Sequence, residues 1–155
     1  GTGIQAMAAF ENTLDVLAVD INPECVTVVQ KKGIRACQSD LFSSVAEQYD
    51  WILFNPPYLP EDLGEPEDSR LATTGGKEGN EILLRFLRTA KNVLRPEGKI
   101  LVVVSSLTGA PEDLFQGYHY DCLETEALFF ETIGVFLLSP QEQRGVHGEV
   151  PVLSP

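Results

Sequence analysis

With 155 residues, 43% of them hydrophobic and 22% charged, the chain is long enough for one globular domain with its own core and short for two. No apolar run approaches the ~20 residues that a membrane span needs, so membrane insertion is excluded at this level. The net charge of -12 counts against a surface that grips phosphates, since the basic residues are scattered and Lys31-Lys32-Gly33-Ile34-Arg35 is their nearest approach to a cluster.

Gly3 to Phe10 predicts a short helix. Leu14 to Val19 is a mostly apolar run, the pattern of a strand covered on both faces, and it ends at Asp20. Asn22-Pro23-Glu24 then predicts a helix start, with Asn22 as cap and Pro23 in the first turn, and Gly33 ends that helix. Ile34 to Gln38 is a second strand followed by Ser39-Asp40. Tyr49 to Phe54 is a third, and it stops at Asn55-Pro56-Pro57-Tyr58 because two prolines cannot continue a ladder. Leu59 to Gly79 is expected as a long functional loop.

Asn80 is expected to cap an amphipathic helix whose apolar side is Ile82, Leu83, Phe86, Leu87, Ala90 and Leu94. Pro96-Glu97-Gly98 reads as a turn, and Lys99 to Ser105 as the clearest buried strand. Pro111 to Gln116 is a short helix. Cys122 to Phe130 and Thr132 to Leu138, joined tightly near Glu131, are expected to pair as an antiparallel hairpin at the sheet edge. Residues 139–155 read as a loose tail after a domain spanning 1–138. Strands alternating with helices predict an α/β, Rossmann-like, doubly wound and mostly parallel sheet, which binds ligands beyond the carboxyl ends of its strands.

The three cysteines, Cys25, Cys37 and Cys122, contain no Cys-x-x-Cys pair, and no secretory signal accompanies them. Neither a disulfide framework nor a zinc site is expected; the thiols read as reduced and buried in a cytoplasmic protein. His119 and His147 are expected as surface histidines in loops. Gly75-Gly76 lacks a following Gly-Lys-Ser/Thr, and reads as a flexible border of the substrate cleft and not as a phosphate loop.

The residues that carry chemistry stand just after predicted strands. Gly1-Thr2-Gly3 is a very weak glycine-turn signal that would let a backbone approach a ligand; taken alone, an ordinary turn or a cloning remnant is the favoured reading. Asp20, with Ile21 beside it, is placed to accept hydrogen bonds from both ribose hydroxyls of an adenosine ligand; a simple helix cap is the alternative. Asp40 is placed to receive an adenine amino group, with Leu41 against the ring.

Asn55-Pro56-Pro57-Tyr58 is the specific signal. The nitrogen of an amide or exocyclic amine is a poor nucleophile because its lone pair is delocalised. The Asn55 side-chain carbonyl and the Pro56 main-chain carbonyl can each accept one of its N–H groups, which favours the positive charge that develops as a methyl group arrives. Pro57 stiffens the turn and Tyr58 offers a flat face to a planar group. No metal is required.

These residues resemble the class I S-adenosylmethionine-dependent methyltransferases with an Asn-Pro-Pro-Tyr motif. Within them the chain is similar to the HemK-like protein-glutamine methyltransferases, most of all their compact archaeal and eukaryotic branch. The matching stretches are Val19 to Glu24, Asp50 to Pro60, Gly75 to Gly79, Ser105-Ser106-Leu107 and Leu128 to Glu131. The resemblance implies S-adenosyl-L-methionine as cofactor, held by Gly1, Gly3, Asp20, Ile21, Asp40, Leu41 and Asn55. It implies that Asn55, Pro56, Pro57 and Tyr58 hold the acceptor, the glutamine of a Gly-Gly-Gln motif in a translation release factor. It also implies a small zinc-binding activator subunit as partner. The family's first strand, with its terminal acid and the first glycine of the loop, is absent from this numbering, so neighbouring strand edges are expected to be exposed. An N6-adenine methyltransferase acting on DNA or RNA, and a non-catalytic or truncated domain of the same fold, are the competing readings.

Overall fold

The computed structural model describes residues 1–61, 64, 66 and 72–141. Its elements run α1 (Ile4–Phe10), β1 (Leu17–Asp20), α2 (Pro23–Lys31), β2 (Arg35–Gln38), β3 (Tyr49–Phe54), β4 (Leu59–Pro60), β5 (Thr74–Gly76), α3 (Glu81–Val93), β6 (Leu94–Ser105), α4 (Pro111–Leu114), β7 (Tyr118–Ala127) and β8 (Thr132–Pro140).

The strands form three hydrogen-bonded sets. β1 pairs with β2 in parallel, with Asp20 opposite Gln38. The main sheet has the order β3-β6-β8-β7, with β3 and β6 parallel and β8 antiparallel to both β6 and β7. β4 and β5 form a small parallel pair of their own. This is the Rossmann-like, mostly parallel α/β architecture with a terminal antiparallel hairpin. Among the described residues β1 is bonded only to β2, and β3 only to β6, so each keeps one unpaired edge. The local signals behind the elements hold at α2, where the Asn22 side chain accepts from the Glu24 amide at 2.8 Å and Gly33 follows at φ 80°.

The core lies between α3 and the main sheet. α3 buries Leu83, Phe86, Leu87, Ala90 and Val93 against Ile100, Val102 and Val104 of β6 and Phe136 and Leu138 of β8. Phe86 is its central side chain: its ring stacks on Phe54 at 4.2 Å between centroids and meets Phe42 at 5.3 Å. The Tyr118 hydroxyl donates to the Leu87 carbonyl at 2.6 Å, fastening the start of β7 to the same helix. Burial pushes the Tyr118 pKa up to about 12.

Several expectations are corrected. Asn80 precedes α3 but makes no side-chain cap; the Glu81 carboxylate accepts the Glu78 and Asn80 amides at 2.9 and 3.1 Å instead, which lowers its pKa. Leu94 begins β6 and does not end α3. The Pro96-Glu97-Gly98 turn is a bulge inside that strand. While β3 advances from Tyr49 to Trp51, β6 advances from Leu94 to Lys99, and Glu97 takes φ 65°. β3 buries one face only. Ile52 points inward, whereas Trp51 and Leu53, on the other face by the two-residue period, are exposed.

β1 is only half-buried, and Leu14 lies outside it, exposed. The boundary drawn after residue 138 falls within β8, because Ser139 and Pro140 pair with His119 and Tyr118 and the Gln141 amide donates to the Gly117 carbonyl. His119 is therefore a strand residue; His147 and the rest of the expected tail, 142–155, lie outside the described residues, as does much of the 59–79 loop. The cysteines are unpaired, but Cys122 is exposed on β7, and Cys25 and Cys37 are half-buried.

Phe86→Ala should lower the unfolding free energy by about 3–5 kcal/mol, measured by urea denaturation. Arg88→Ala, an exposed position of the same helix, should stay within about 0.5 kcal/mol of the parent.

Candidate functional site

β3 ends at Phe54, opposite Val102 of β6, so Asn55-Pro56-Pro57-Tyr58 emerges at the carboxyl end of the main sheet. Asn55 is exposed, Pro56 buried, and Pro57 and Tyr58 half-buried. The two prolines cannot donate, and their fixed φ holds the Pro56 carbonyl and the Asn55 side chain on one short, stiff segment.

A glycine-rich segment clamps that turn. Leu59 pairs with Thr74 and Pro60 with Gly76, and the Glu61 amide donates to the Gly76 carbonyl at 3.0 Å. A Cβ on Gly75 would stand 2.2 Å from the Gly79 carbonyl oxygen and 2.6 Å from that of Pro57. One on Gly79, at φ 87°, would stand 2.6 Å from the Tyr58 carbonyl oxygen. Gly75-Gly76 is thus a paired strand against the motif's backbone, where a flexible border was expected. The spacing Gly75, Gly76, Gly79 was the available signal.

The acids and glycines nearer the amino terminus collect at the carboxyl ends of β1 and β2. The Gly1 amine meets one Asp20 carboxylate oxygen, and the other accepts from the Asn22 amide at 2.9 Å. Gly3 sits at φ 76°, where a Cβ would fall 2.6 Å from a Val29 methyl, so the α1 entrance is a place only glycine fits. Ile21 is exposed beside Asp20, and the Ser39 amide donates to the Asp20 carbonyl at 3.0 Å, tying the two strand ends together. Leu41 holds φ 49°, uncommon for a side chain of its kind and often found where function imposes the backbone.

Asp40 carries a partner that the sequence did not announce. Both its carboxylate oxygens accept from the Arg85 guanidinium of α3, at 2.7 and 3.0 Å. The pair is about half exposed, so it contributes little to stability. A carboxylate has further lone pairs, and Asp40 keeps acceptor capacity for a second donor.

A cleft of about 400 Å³ contains Asp40, Leu41, Phe42, Arg85 and Thr89. A larger one, about 590 Å³, lies at Asp15, Glu47, Tyr49 and Arg95, at the amino-terminal end of β3 and away from the motif. The smaller contains Asp40 and Leu41 alone of the candidate residues and shares Ala46 and Asn92 with the larger; Asp20 and Asn55-Pro56-Pro57-Tyr58 lie outside both. Phe86 joins the two halves: Phe42 follows Asp40-Leu41, Phe54 precedes Asn55, and both rings rest on it.

Two further side chains escaped the sequence reading. Glu131, at the end of the β7–β8 turn, is buried and accepts a very short hydrogen bond from the Ser105 hydroxyl. The pKa of the Tyr58 hydroxyl is raised, first by burial and then by the negative charge of Glu131. An acid closing the apolar run Leu128-Phe129-Phe130 was the signal. Among the described residues no group of three or more His, Cys, Asp or Glu could hold a metal, and no helix is long and apolar enough to cross a membrane.

Residues 1–121 match the Methyltransferase small domain family. The chain belongs to that family. Among relatives of this methyltransferase domain, a Methanocaldococcus jannaschii protein named as a protein N5-glutamine methyltransferase is 41% identical over 123 residues, covering 74% of this chain and 62% of the relative. The release factor glutamine methyltransferase of Streptococcus pneumoniae is 30% identical, covering 70% of this chain and 44% of the relative. The chain therefore spans less than two thirds of either relative's length. Among solved structures, the E. cuniculi Mtq2–Trm112 complex, described as responsible for methylation of the eRF1 termination factor, matches with a TM-score of 0.70. It is 22% identical and covers 90% of this chain and 80% of that one. At that identity the likeness shows the fold.

Gly75→Ala should cost about 1–3 kcal/mol in urea denaturation, because the added methyl meets two backbone carbonyls that cannot both yield. Gly33→Ala should cost only about 1 kcal/mol, since a Cβ there meets nothing and the penalty is the positive φ alone.

Proposed function

We propose that this methyltransferase domain transfers the methyl group of S-adenosylmethionine to the side-chain amide nitrogen of a protein glutamine, with the Gly-Gly-Gln segment of a translation release factor as acceptor. The observation that carries the proposal is the stiff Asn55-Pro56-Pro57-Tyr58 turn at the carboxyl end of β3, gripped by Gly75 and Gly79.

The residues present suit the cofactor. Asp20, beside Gly1 at the strand end, offers a carboxylate to ribose hydroxyls, with Ile21 on its flank. The glycine-only position at Gly3 lets the α1 entrance pack against Val29 of α2, next to the Asp20 turn. Asp40 and Leu41 share one cleft, with an acceptor for an amino group and an apolar side for a ring. S-adenosylmethionine supplies an electrophilic methyl on a sulfonium, whose sulfur departs as a neutral thioether, while the acceptor nitrogen gives up one N–H proton to solvent.

The chain's own part is to hold the acceptor nitrogen in line with that methyl. Asn55 accepts one N–H through its side-chain carbonyl and Pro56 the other through its backbone carbonyl. Both contacts strengthen as the nitrogen gains positive charge, so they act on the transition state. Tyr58 packs its face on the planar amide.

An adenine amino group would satisfy the same two acceptors. The choice of glutamine is supported by the net charge of -12, which repels nucleic acid, and by the glutamine substrates in the relatives' names. A small activator subunit, like the Trm112 chain of the E. cuniculi complex and zinc-binding, is the partner proposed. A cytoplasmic location follows from that substrate.

With radiolabelled S-adenosylmethionine and the activator present, label should enter a release factor and be absent from its Gln→Ala variant. Label that persists on the Gln→Ala variant would overturn the glutamine assignment. Asn55→Ala should lower kcat about a hundredfold while S-adenosylmethionine binding, followed by titration calorimetry, changes little.

A further inference from the structure

Arg85 is the one cation that reaches the Asp40-Leu41 cleft. It does so with a fork: Nη1 and Nη2 donate to separate oxygens of the Asp40 carboxylate, at 3.0 and 2.7 Å. The two residues belong to different parts of the fold. Asp40 follows β2, whereas Arg85 lies on α3, which packs on the main sheet.

The backbone on both sides of this contact is already set. Phe86, the next residue on α3, is buried, so the helix is held in place at Arg85. The turn carrying Asp40 has bonds of its own. The Ser39 amide donates to the Asp20 carbonyl at 3.0 Å, the Ser43 amide to the Asp40 carbonyl at 3.1 Å, and the Ser44 amide to the Ser39 hydroxyl at 2.9 Å. What remains free is the direction of the exposed Asp40 carboxylate, which turns about two torsions. A planar guanidinium bonds both oxygens of a carboxylate only when the two groups are aligned, so the fork removes that freedom.

The pair is not the one that α3 by itself would offer. Glu81 stands four residues before Arg85, the ordinary spacing for a helix ion pair. Its carboxylate is turned back to the Glu78 and Asn80 amides, and Arg85 reaches across 45 positions to Asp40. A half-exposed pair adds little to stability, so holding the fold together does not account for the fork. The fork takes one lone-pair site on each oxygen, about half of the carboxylate's capacity, and leaves the others to accept N–H groups.

We propose that Arg85 is a positioning residue that acts through Asp40, aiming its carboxylate at the amino group of the cofactor's adenine and so selecting a purine that carries one. The proposal rests on the reading of Asp40 as the adenine acceptor. It gives α3 a part in cofactor recognition through a side chain that need not touch the cofactor.

The test is titration calorimetry on the full chain with two ligands. One is S-adenosylhomocysteine, and the other is its analogue with hydrogen in place of the adenine amino group. The parent should prefer the first by about tenfold, as expected of a hydrogen bond to a charged group. Arg85→Ala should reduce that preference to about threefold or less, by weakening S-adenosylhomocysteine while the analogue changes by less than about twofold. In an Asp40→Ala background, Arg85→Ala should change neither dissociation constant by more than about twofold, because the group it acts through is gone.

Equal losses for both ligands, with the parent preference kept, would reduce Arg85 to a structural role and overturn the proposal. An effect of the same size in the Asp40→Ala background would also overturn it. A parent that binds the two ligands equally would sink the reading of Asp40 at the adenine, and a parent that binds neither would sink the cofactor site itself; either takes the proposal with it. No acceptor enters the measurement, so its outcome is separate from whether glutamine is the group methylated.

Discussion

The Phe86 ring, stacked on Phe54 and touching Phe42, is the contact on which the rest of the arrangement depends. Phe42 belongs to the turn that carries Asp40 and Leu41, and Phe54 is the last residue before the acceptor motif. The two turns come from different hydrogen-bonded strand sets, so no ladder bond fixes one against the other. An aromatic pair contributes about 0.5–1.5 kcal/mol beyond its buried area and prefers particular ring geometries. One buried side chain on α3 can therefore set the relation between the Asp40-Leu41 turn and the Asn55-Pro56 turn, the proposed cofactor and acceptor sides. Arg85, next to it on the same helix, adds a charged link to Asp40.

Close backbone approach is the second constraint. The acceptor turn is held through carbonyl oxygens of Pro57 and Tyr58 lying where side chains of residues 75 and 79 would otherwise be. Glycine permits that approach, and the proline pair ensures that the clamped segment has few other conformations to adopt. Rigidity matters for the proposed chemistry because a delocalised nitrogen reacts only when held in line. The Glu81 carboxylate, by accepting two amides of the same turn, ties this clamp to the start of α3.

Much of this was legible in the sequence, for physical reasons that differ by element. The limits of β3 were readable because a double proline ends a strand as surely as any signal can, and α3 because its apolar spacing is long and regular. The Asn55-Pro56-Pro57-Tyr58 segment was legible as a candidate because Asn and Tyr flanking a double proline directly after an apolar strand is more than a plain turn pattern. The cover over β1 was misjudged: the apolar run from Leu14 to Val19 reads as a strand covered on both faces, whereas β1 begins at Leu17 and is half-buried, with Leu14 exposed. The bulge at Glu97 read as a strand boundary because local turn chemistry does not say whether a ladder resumes on the far side. The Arg85–Asp40 and Ser105–Glu131 contacts, across 45 and 26 positions, leave no local pattern at all.

The central claim is that the exposed Asn55 carbonyl and the Pro56 backbone carbonyl receive a planar amide. The direct measurement is tandem mass spectrometry of a release factor incubated with the full chain, its activator and deuteromethyl-labelled S-adenosylmethionine. The account predicts a single labelled methyl group on the side-chain nitrogen of the Gly-Gly-Gln glutamine. A label localised to any other residue, or recovered from nucleic acid and not from protein, would contradict it.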